Sequence, residues 1–413
     1  MTNVMLDALI IYNIFLREMP GLHNWMQAMA SALNMGFNAI YMSPFNRVGS
    51  SRSSYSIMDL MDYDPRCFTH GAEPIDELRE FLQVCKERCV LPIMDLVINH
   101  TAFDSPLVRR YPQWFKYDNA GRIVHPGAGD TVWGDIVTLN YESFDMTLWN
   151  YMRDVIAFYC RLGFRGFRCD CANQIYPGFW QWVISSIKAE YPDTVFIAES
   201  FCDRNQRVML GKVGFDYIFN SAKWWQYDGN WLVEDALATA PFCDSIAMPA
   251  NHDTERGIVD AGRDVEVLKQ RIRFTAFISK GFELTAGDEY AVDKRIDVVD
   301  SGPENYFTTG IDLRDFIAET ITLKKSCASL CEEGDTDLIH VDKQAAVLLR
   351  RWRGEAVMLV INKTHRTIRV PFGVVRCKSL PSASVLSELV DDGFILAPLE
   401  VRVVPINSMC ATA

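Results

Sequence analysis

Positive charge is scarce in this chain: 41 Lys and Arg face 53 Asp and Glu, for a net charge of −12 and a pI near 5.1. A basic stripe for nucleic acid or an anionic lipid surface is therefore lacking, which excludes both partner classes. Apolar runs are too short to span a bilayer, so no membrane segment is expected. The start, MTNVMLDALIIYNIF, carries an acidic residue and no cationic stretch, so it does not read as a secretory leader. Among twelve cysteines there is no Cys-x-x-Cys pair. The single Cys-x-Cys, Cys169 and Cys171, lies in a strand-like run where both side chains are expected on one face. Many of the cysteines sit in apolar segments, as buried free thiols do, and a reducing cytoplasm is the expected location. Internal repeats and low-complexity tracts are also missing.

What is present is an ordinary globular composition, 49% hydrophobic and 23% charged, over 413 residues, enough for two or three folding units. Aromatics are plentiful at 12%, with ten Trp, which serve equally to fill a large core or to stack on sugars. Short apolar runs alternate with longer amphipathic ones over the first 330 or so residues. Strands are predicted at Ala8–Tyr12, Ala39–Ser43, Leu91–Val97, Phe164–Arg168, Val195–Ala198, Tyr217–Phe219, Ser245–Met248 and Phe282–Thr285. Helices are predicted between them, as at Pro74–Arg88 and Leu148–Cys160. This pattern predicts an α/β protein, a (β/α)8 TIM barrel. Residues 100–147 are rich in turn formers and predict a short inserted loop domain after the third strand. Late in the chain come alternating strands, at Ala345–Trp352, Ala356–Asn362, Thr367–Val370 and Leu399–Val404, which predict an antiparallel β-sandwich. The expected division is barrel at 1–99 and 148–334, insertion at 100–147 and sandwich at 335–413.

Polar residues concentrate at the C-terminal ends of the predicted strands, where barrels build active sites. The third strand carries Asp95 and leads to Asn99 and His100; the fourth leads through Arg168 to Asp170. The fifth ends at Glu199, and the seventh leads to Asn251, His252 and Asp253. Singly, each such carboxylate is a cap or an ion-pair partner. Converging from four strands, with no His or Cys cluster of zinc spacing, they point to acid–base or nucleophilic chemistry.

The segments DLVINH, GFRCD, FIAES and ANHDT, in that order, resemble the four motif regions of glycoside hydrolase family 13, the α-amylase superfamily. GFNAIYMSP (36–44), SYSIMDLMDYDP (54–65), GFDYIFN (214–220), TAGDE (285–289) and LRDFIAETITLKKSCASL (313–330) extend the resemblance over nearly the whole chain. The resemblance implies a retaining mechanism with Asp170 as nucleophile and Glu199 as general acid and then base. It implies that Asp253 binds sugar hydroxyls, that Arg168 orients the nucleophile, that His100 and His252 hydrogen-bond the sugar and that Tyr55 stacks on it. Asp95 is expected to act structurally, holding neighbouring loops. No cofactor is expected to be required, although Asn99 matches a family calcium ligand and so allows calcium.

Three departures bear on specificity. Asn173 and Gln174 stand where many amylases carry Lys-His. The His whose carbonyl often completes the family's calcium site is missing. Phe179-Trp180-Gln181-Trp182 resembles the maltosyltransferase branch, which uses maltose 1-phosphate, whereas the His of NHDT resembles hydrolases. A phosphate leaving group would need cations beside the loops after the fourth and fifth strands. The fourth loop, Cys171 to Tyr176, is neutral, and the fifth offers Arg204 and Arg207 beside Asp203. The expected activity is hydrolysis or transglycosylation of α-1,4-glucans or maltooligosaccharides. The alternatives are a maltosyltransferase with a phosphorylated donor and a catalytically inactive amylase-like binding protein.

Overall fold

The computed structural model describes residues 8–200, 202–370 and 393–406. Cys377 and Cys410, and parts of the predicted sandwich domain, lie outside these. Eight parallel strands close into a barrel: β1 (Ile10–Ile14), β2 (Ala39–Met42), β3 (Leu91–Leu96), β4 (Gly166–Cys169), β5 (Val195–Ala198), β6 (Tyr217–Phe219), β7 (Asp244–Ala247) and β8 (Gly281–Thr285). After them run α1 (Leu22–Met35), α2 (Pro74–Glu87), α3 (Met146–Leu162), α4 (Pro177–Glu190), α5 (Arg204–Lys212), α6 (Trp231–Thr239), α7 (Val265–Ile278) and α8 (Arg314–Lys325). The predicted strands are all found. The first begins two residues later than expected, because its outward residues Ile10, Tyr12 and Ile14 are those that meet the helices.

Strands buried on both faces read as near-continuous apolar runs, and alternation assigns each residue a side. Ile11, Ala39, Tyr41, Ile93, Val195, Ile197, Phe219 and Ile246 pack together inside the barrel. Gly166 and Gly281 narrow that interior: a Cβ there would meet the Ile93 and Ile246 side chains at 2.6 and 2.5 Å. The outward residues join the helices in a second, larger core. Helix starts follow sequence signals. Pro74 opens α2 with Asp76 and Glu77 in its first turn, while Asp145 caps α3 by accepting from the Thr147 N–H at 2.8 Å.

Two excursions rise over the C-terminal mouth. After β2, Asn46–Val48 pairs with Ile57–Tyr63 and carries Tyr55 in its connection. After β3, His100–Ala102 pairs with Ile136–Thr138, and a small hairpin joins Gly127–Ala128 to Thr131–Val132. Beyond the barrel, β9 (Asp335–Val341), β10 (Ala345–Trp352), β11 (Glu355–Asn362) and β14 (Val401–Ile406) form an antiparallel sheet. A pair, β12 (Ile368–Val370) and β13 (Phe394–Leu396), covers one face of it through Val347, Leu349, Val360, Ile368 and Leu396. The edge strand β9 was not predicted, because DTDLIHV alternates irregularly and its register shifts between Leu338 and His340. The sheet docks on the barrel through buried Arg350, which donates to the Ser329 and Glu332 carbonyls at 3.0 and 2.9 Å.

Candidate active site

The ladder itself places the candidate residues. Asp95 on β3 is the Cα partner of Arg168 on β4, which in turn faces Ile197 on β5. Two residues on, Asp170 and Glu199 point the same way, and each is still held by the ladder. The Asp170 N–H donates to the Leu96 carbonyl and the Glu199 N–H to the Cys169 carbonyl, both at 3.1 Å. Such placement costs the side chains little reorganisation when a substrate arrives.

Arg168 sits at the centre. Its Nη1 donates to Asp95 Oδ1 at 3.0 Å and Asp170 Oδ1 at 2.9 Å. Its Nη2 lies 2.9 Å from Glu199 Oε1 and 3.8 Å from Asp253 Oδ2. Burial opposes this charge, yet Asp95 and Glu199 more than offset it and hold the guanidinium pKa above its usual range. Asp95 also accepts from the Tyr41 and Tyr55 hydroxyls at 2.5 and 2.7 Å, so its partners come from β2, its loop and β4.

One guanidinium does not neutralise this many carboxylates. Burial, then the charge of Glu199, pushes Asp170 well above the ordinary carboxyl range. Burial likewise raises Glu199, although Arg168 pulls against it. Each carboxyl thus resists ionisation beside the other, as like charges sharing one site do. Glu199 has both oxygens engaged, the second by the Cys171 N–H at 2.8 Å, whereas Asp170 Oδ2 is buried with no partner. An oxygen of each lies within 4.8 Å of the other.

Asp253 is 46% open to the cleft, and His252 and Arg168 outweigh burial to hold it down at about 2. His252 lies deeper than the sequence implied. Its Nε2 is 3.2 Å from Asp253 Oδ2 and 2.5 Å from the Tyr55 hydroxyl, and its ring stacks under Tyr55 with centroids 5.2 Å apart. Burial lowers its pKa, but Asp253 reverses this and leaves it raised. Tyr55 also lines the cleft, and the Arg168 guanidinium carbon lies 5.9 Å from its ring centroid. His100, on the cleft wall, has its Nε2 3.0 Å from the Tyr55 carbonyl, and burial lowers it to about 4, which keeps it neutral.

These groups border a cleft of about 720 Å³, walled by Tyr55, His100, Trp133, Asp170, Glu199 and Asp253. Asp135, from the inserted segment, adds a further carboxylate. Among the described residues, no Lys or Arg lines it. Arg204 and Arg207 are committed elsewhere. Arg204 Nε binds Asp235 at 2.8 Å, and Arg207 pairs with Asp235 and donates to the Cys202 carbonyl at 2.9 Å.

Asn99 is buried and donates to Gln174 Oε1 at 3.1 Å. Among the described residues, no cluster of His, Cys, Asp or Glu suited to an ion includes a neighbour of Asn99. Calcium takes six to eight oxygens, usually with carboxylates among them, and the side-chain oxygen that Asn99 meets here is the Gln174 amide.

Sequence reasoning did not single out Trp133, Asp135 or Glu283. The first two lie on the insertion, whose turn-rich sequence carries no register from which to read direction. Glu283 had a signal, a lone carboxylate inside the apolar strand GFELT. It is an inward residue whose Oε1 accepts from Asn13 at 3.0 Å while its Oε2 has no partner, and burial raises its pKa to about 7. A carboxyl raised on folding costs stability as pH climbs from its ordinary value through its folded one, here on the order of 3 kcal/mol. Glu283→Gln is therefore expected to gain on the wild type between pH 5 and pH 8 in denaturant melts. A difference that does not change with pH would overturn this.

Residues 2–120 match the model of the glucanotransferase domain of glycogen debranching enzyme. The chain is 23% identical over 396 residues to the α-1,4-glucan:maltose-1-phosphate maltosyltransferase of Picrophilus torridus, a match covering 88% of this chain and 62% of that protein. With the Chlorobaculum tepidum protein of the same description it is 26% identical over 227 residues, covering 50% and 34%. The chain thus spans less than two thirds of these relatives. An α-amylase from Geobacillus thermoleovorans, solved with acarbose, shares the fold at a TM-score of 0.76 and 18% identity, covering 98% of this chain and 99% of that one. For an α-amylase from Lactobacillus plantarum the values are 0.75 and 20%, covering 97% and 98%.

Proposed function

We infer that this member of the α-amylase superfamily is a retaining enzyme that cleaves and transfers α-1,4-linked glucosyl units of glucans or maltooligosaccharides, with a neutral sugar as leaving group. The reading rests on the inward-facing pair Asp170 and Glu199, whose oxygens come within 4.8 Å in an acidic cleft. Retaining glycosidases place their two carboxyls roughly 5–5.5 Å apart, close enough for one to attack the anomeric carbon directly. Glu199 donates its proton to the glycosidic oxygen as Asp170 Oδ2 forms a bond to C1 and the C1–O bond breaks. Glu199 then takes a proton from water or from an acceptor hydroxyl, which displaces Asp170 from C1. Arg168 keeps Asp170 oriented, Asp253 offers its carboxylate to sugar hydroxyls, and Tyr55 stacks on the ring. His100 borders the same space as a neutral hydrogen-bonding group, and His252 acts from behind by holding Asp253 and Tyr55.

The scheme requires no metal, so chelation is expected to leave the melting temperature unchanged. A large loss restored by calcium would contradict it. Ten cysteines are free among the described residues, which supports a reducing compartment such as the cytoplasm. No described helix is long and apolar enough to cross a membrane.

The names of the sequence relatives favour a second reading, maltosyl transfer from maltose 1-phosphate. Its leaving group carries about two negative charges near pH 7 and needs cations or donors where it departs. Here the cleft wall is acidic and Arg204 and Arg207 are paired with α6, so a neutral leaving group fits better. The test is separate incubation with maltoheptaose and with α-maltose 1-phosphate plus a glucan primer. New reducing ends or disproportionated oligosaccharides from the first are expected. Phosphate release with chain extension from the second, and inertness toward the first, would establish the transferase instead.

A further inference from the structure

Cys171 follows the nucleophile directly. Continued strand alternation would turn its side chain away from the side on which Asp170 points. Instead its backbone enters the left-handed region at φ 45°, which returns the side chain to the cleft, where Cys171 is part of the lining. Its Sγ, one oxygen of Asp170 and one of Glu199 all lie within 4.8 Å of one another. Asp170 is 5% exposed, and its Oδ2 has no hydrogen-bond partner. The Arg168 guanidinium beside them is already shared among Asp95, Asp170 and Glu199.

We propose that Asp170, Cys171 and Glu199 form a binding site for a soft divalent cation of the zinc class, and that its occupation shuts the catalytic pair. The donor set is one sulfur and two carboxylate oxygens, with a fourth position open to the cleft, the arrangement of a three-ligand zinc site with an exchangeable water. Zinc bonds to such ligands run from about 2.0 to 2.3 Å, so the three atoms need to draw in only modestly around an ion. The sulfur selects the metal: magnesium and calcium prefer all-oxygen sets, while thiolate favours zinc and cadmium. Burial beside two carboxylates keeps the Cys171 thiol protonated in the free protein. As the metal binds, the Cys171 S–H bond breaks, and its proton and the one Glu199 carries as general acid both leave to solvent, with no change of oxidation state. The added positive charge relieves the surplus of carboxylates. The same ion engages the Asp170 carboxylate that would attack the sugar and the Glu199 carboxyl that would protonate the leaving group, so inhibition is reversible and competes with substrate.

The site stands on geometry alone; only its inhibitory consequence rests on the function proposed above. The binding test titrates the full chain with Co²⁺ as a spectroscopic probe, comparing wild type, Cys171→Ala and Cys202→Ser. Cys202 also lines the cleft and serves as the control. A thiolate-to-cobalt charge-transfer band is expected in the wild type and in Cys202→Ser and should vanish in Cys171→Ala, whose backbone N–H to Glu199 is retained. No band in the wild type, or a band that survives loss of the Cys171 thiol, would overturn the proposal. The inhibition test adds Zn²⁺ to the maltoheptaose assay, each variant being scored against its own metal-free rate. The zinc concentration for half-inhibition should rise at least about tenfold in Cys171→Ala. Equal sensitivity in the two proteins would overturn the inhibitory role. Inactivity of every form toward glucans would count against the enzymatic reading, and the cobalt titration would still decide the metal site.

Discussion

Asp170→Asn and Glu199→Gln are each expected to lower turnover of maltooligosaccharides by roughly ten-thousand-fold, the scale seen when a nucleophile or its proton donor is removed. The two variants should fail differently. Without Asp170 no covalent glycosyl intermediate can form, so an activated donor with a good leaving group should not rescue the rate. Without Glu199 such a donor needs no protonation, and the first step should recover. Neither change should harm the fold. Burial, together with Glu199 for Asp170, raises the pKa of both groups, so their ionised forms cost stability once pH passes the ordinary carboxyl value. The neutral amides avoid that cost, and melting temperatures near pH 7 should equal or exceed that of the wild type. Retention of more than about a tenth of wild-type activity by either variant would remove the residue from its proposed role.

Arg168→Met is expected to be the most damaging single change to stability, on the order of 3–5 kcal/mol at neutral pH. Methionine fills most of the volume but leaves buried Asp95, Asp170 and Glu199 without the guanidinium that now contacts all of them. The loss depends on pH. Without Arg168 the folded-state pKa values of Asp170 and Glu199, already raised, rise further above their unfolded values, so the deficit grows as pH rises past about 4 and shrinks in acid as they take up protons. Arg168→Lys should recover little, because one ammonium cannot reproduce two nitrogens that bind different carboxylates. Denaturant melts at pH 5 and pH 8 would decide the matter; equal deficits at both, or a cost below about 1 kcal/mol at pH 8, would show that the cluster is not held by this charge.

The barrel and the inward placement of its candidate carboxylates were legible in advance for one reason. In a strand buried on both faces, a charged residue is conspicuous, and a period of two states which way it points. Asp95, Arg168, Asp170 and Glu199 all obey this rule, and Glu283 obeys it too, although only the structure drew notice to it. Cys171 broke the rule, since one left-handed residue after β4 returns the chain to the cleft and separates it from Cys169, which is buried in the outer core. The sequence also placed His252 against the sugar, whereas in the structure it lies beneath Tyr55, because which of two adjacent loop residues faces out depends on loop packing rather than on period.

The charge around the cleft was set at the tertiary level. Read linearly, Arg204 and Arg207 were the only cations offered by the fifth loop, and their role was open. In three dimensions α6 brings Asp235 against both, and the insertion brings Asp135 to a cleft already acidic. Local periodicity, a property of the backbone, was enough to place the barrel strands and the inward direction of the candidate carboxylates. The net charge met by a leaving group, the sharing of one guanidinium among several acids and the turning of a thiol toward the nucleophile depend on residues far apart in the chain, and electrostatic energy follows distance in space.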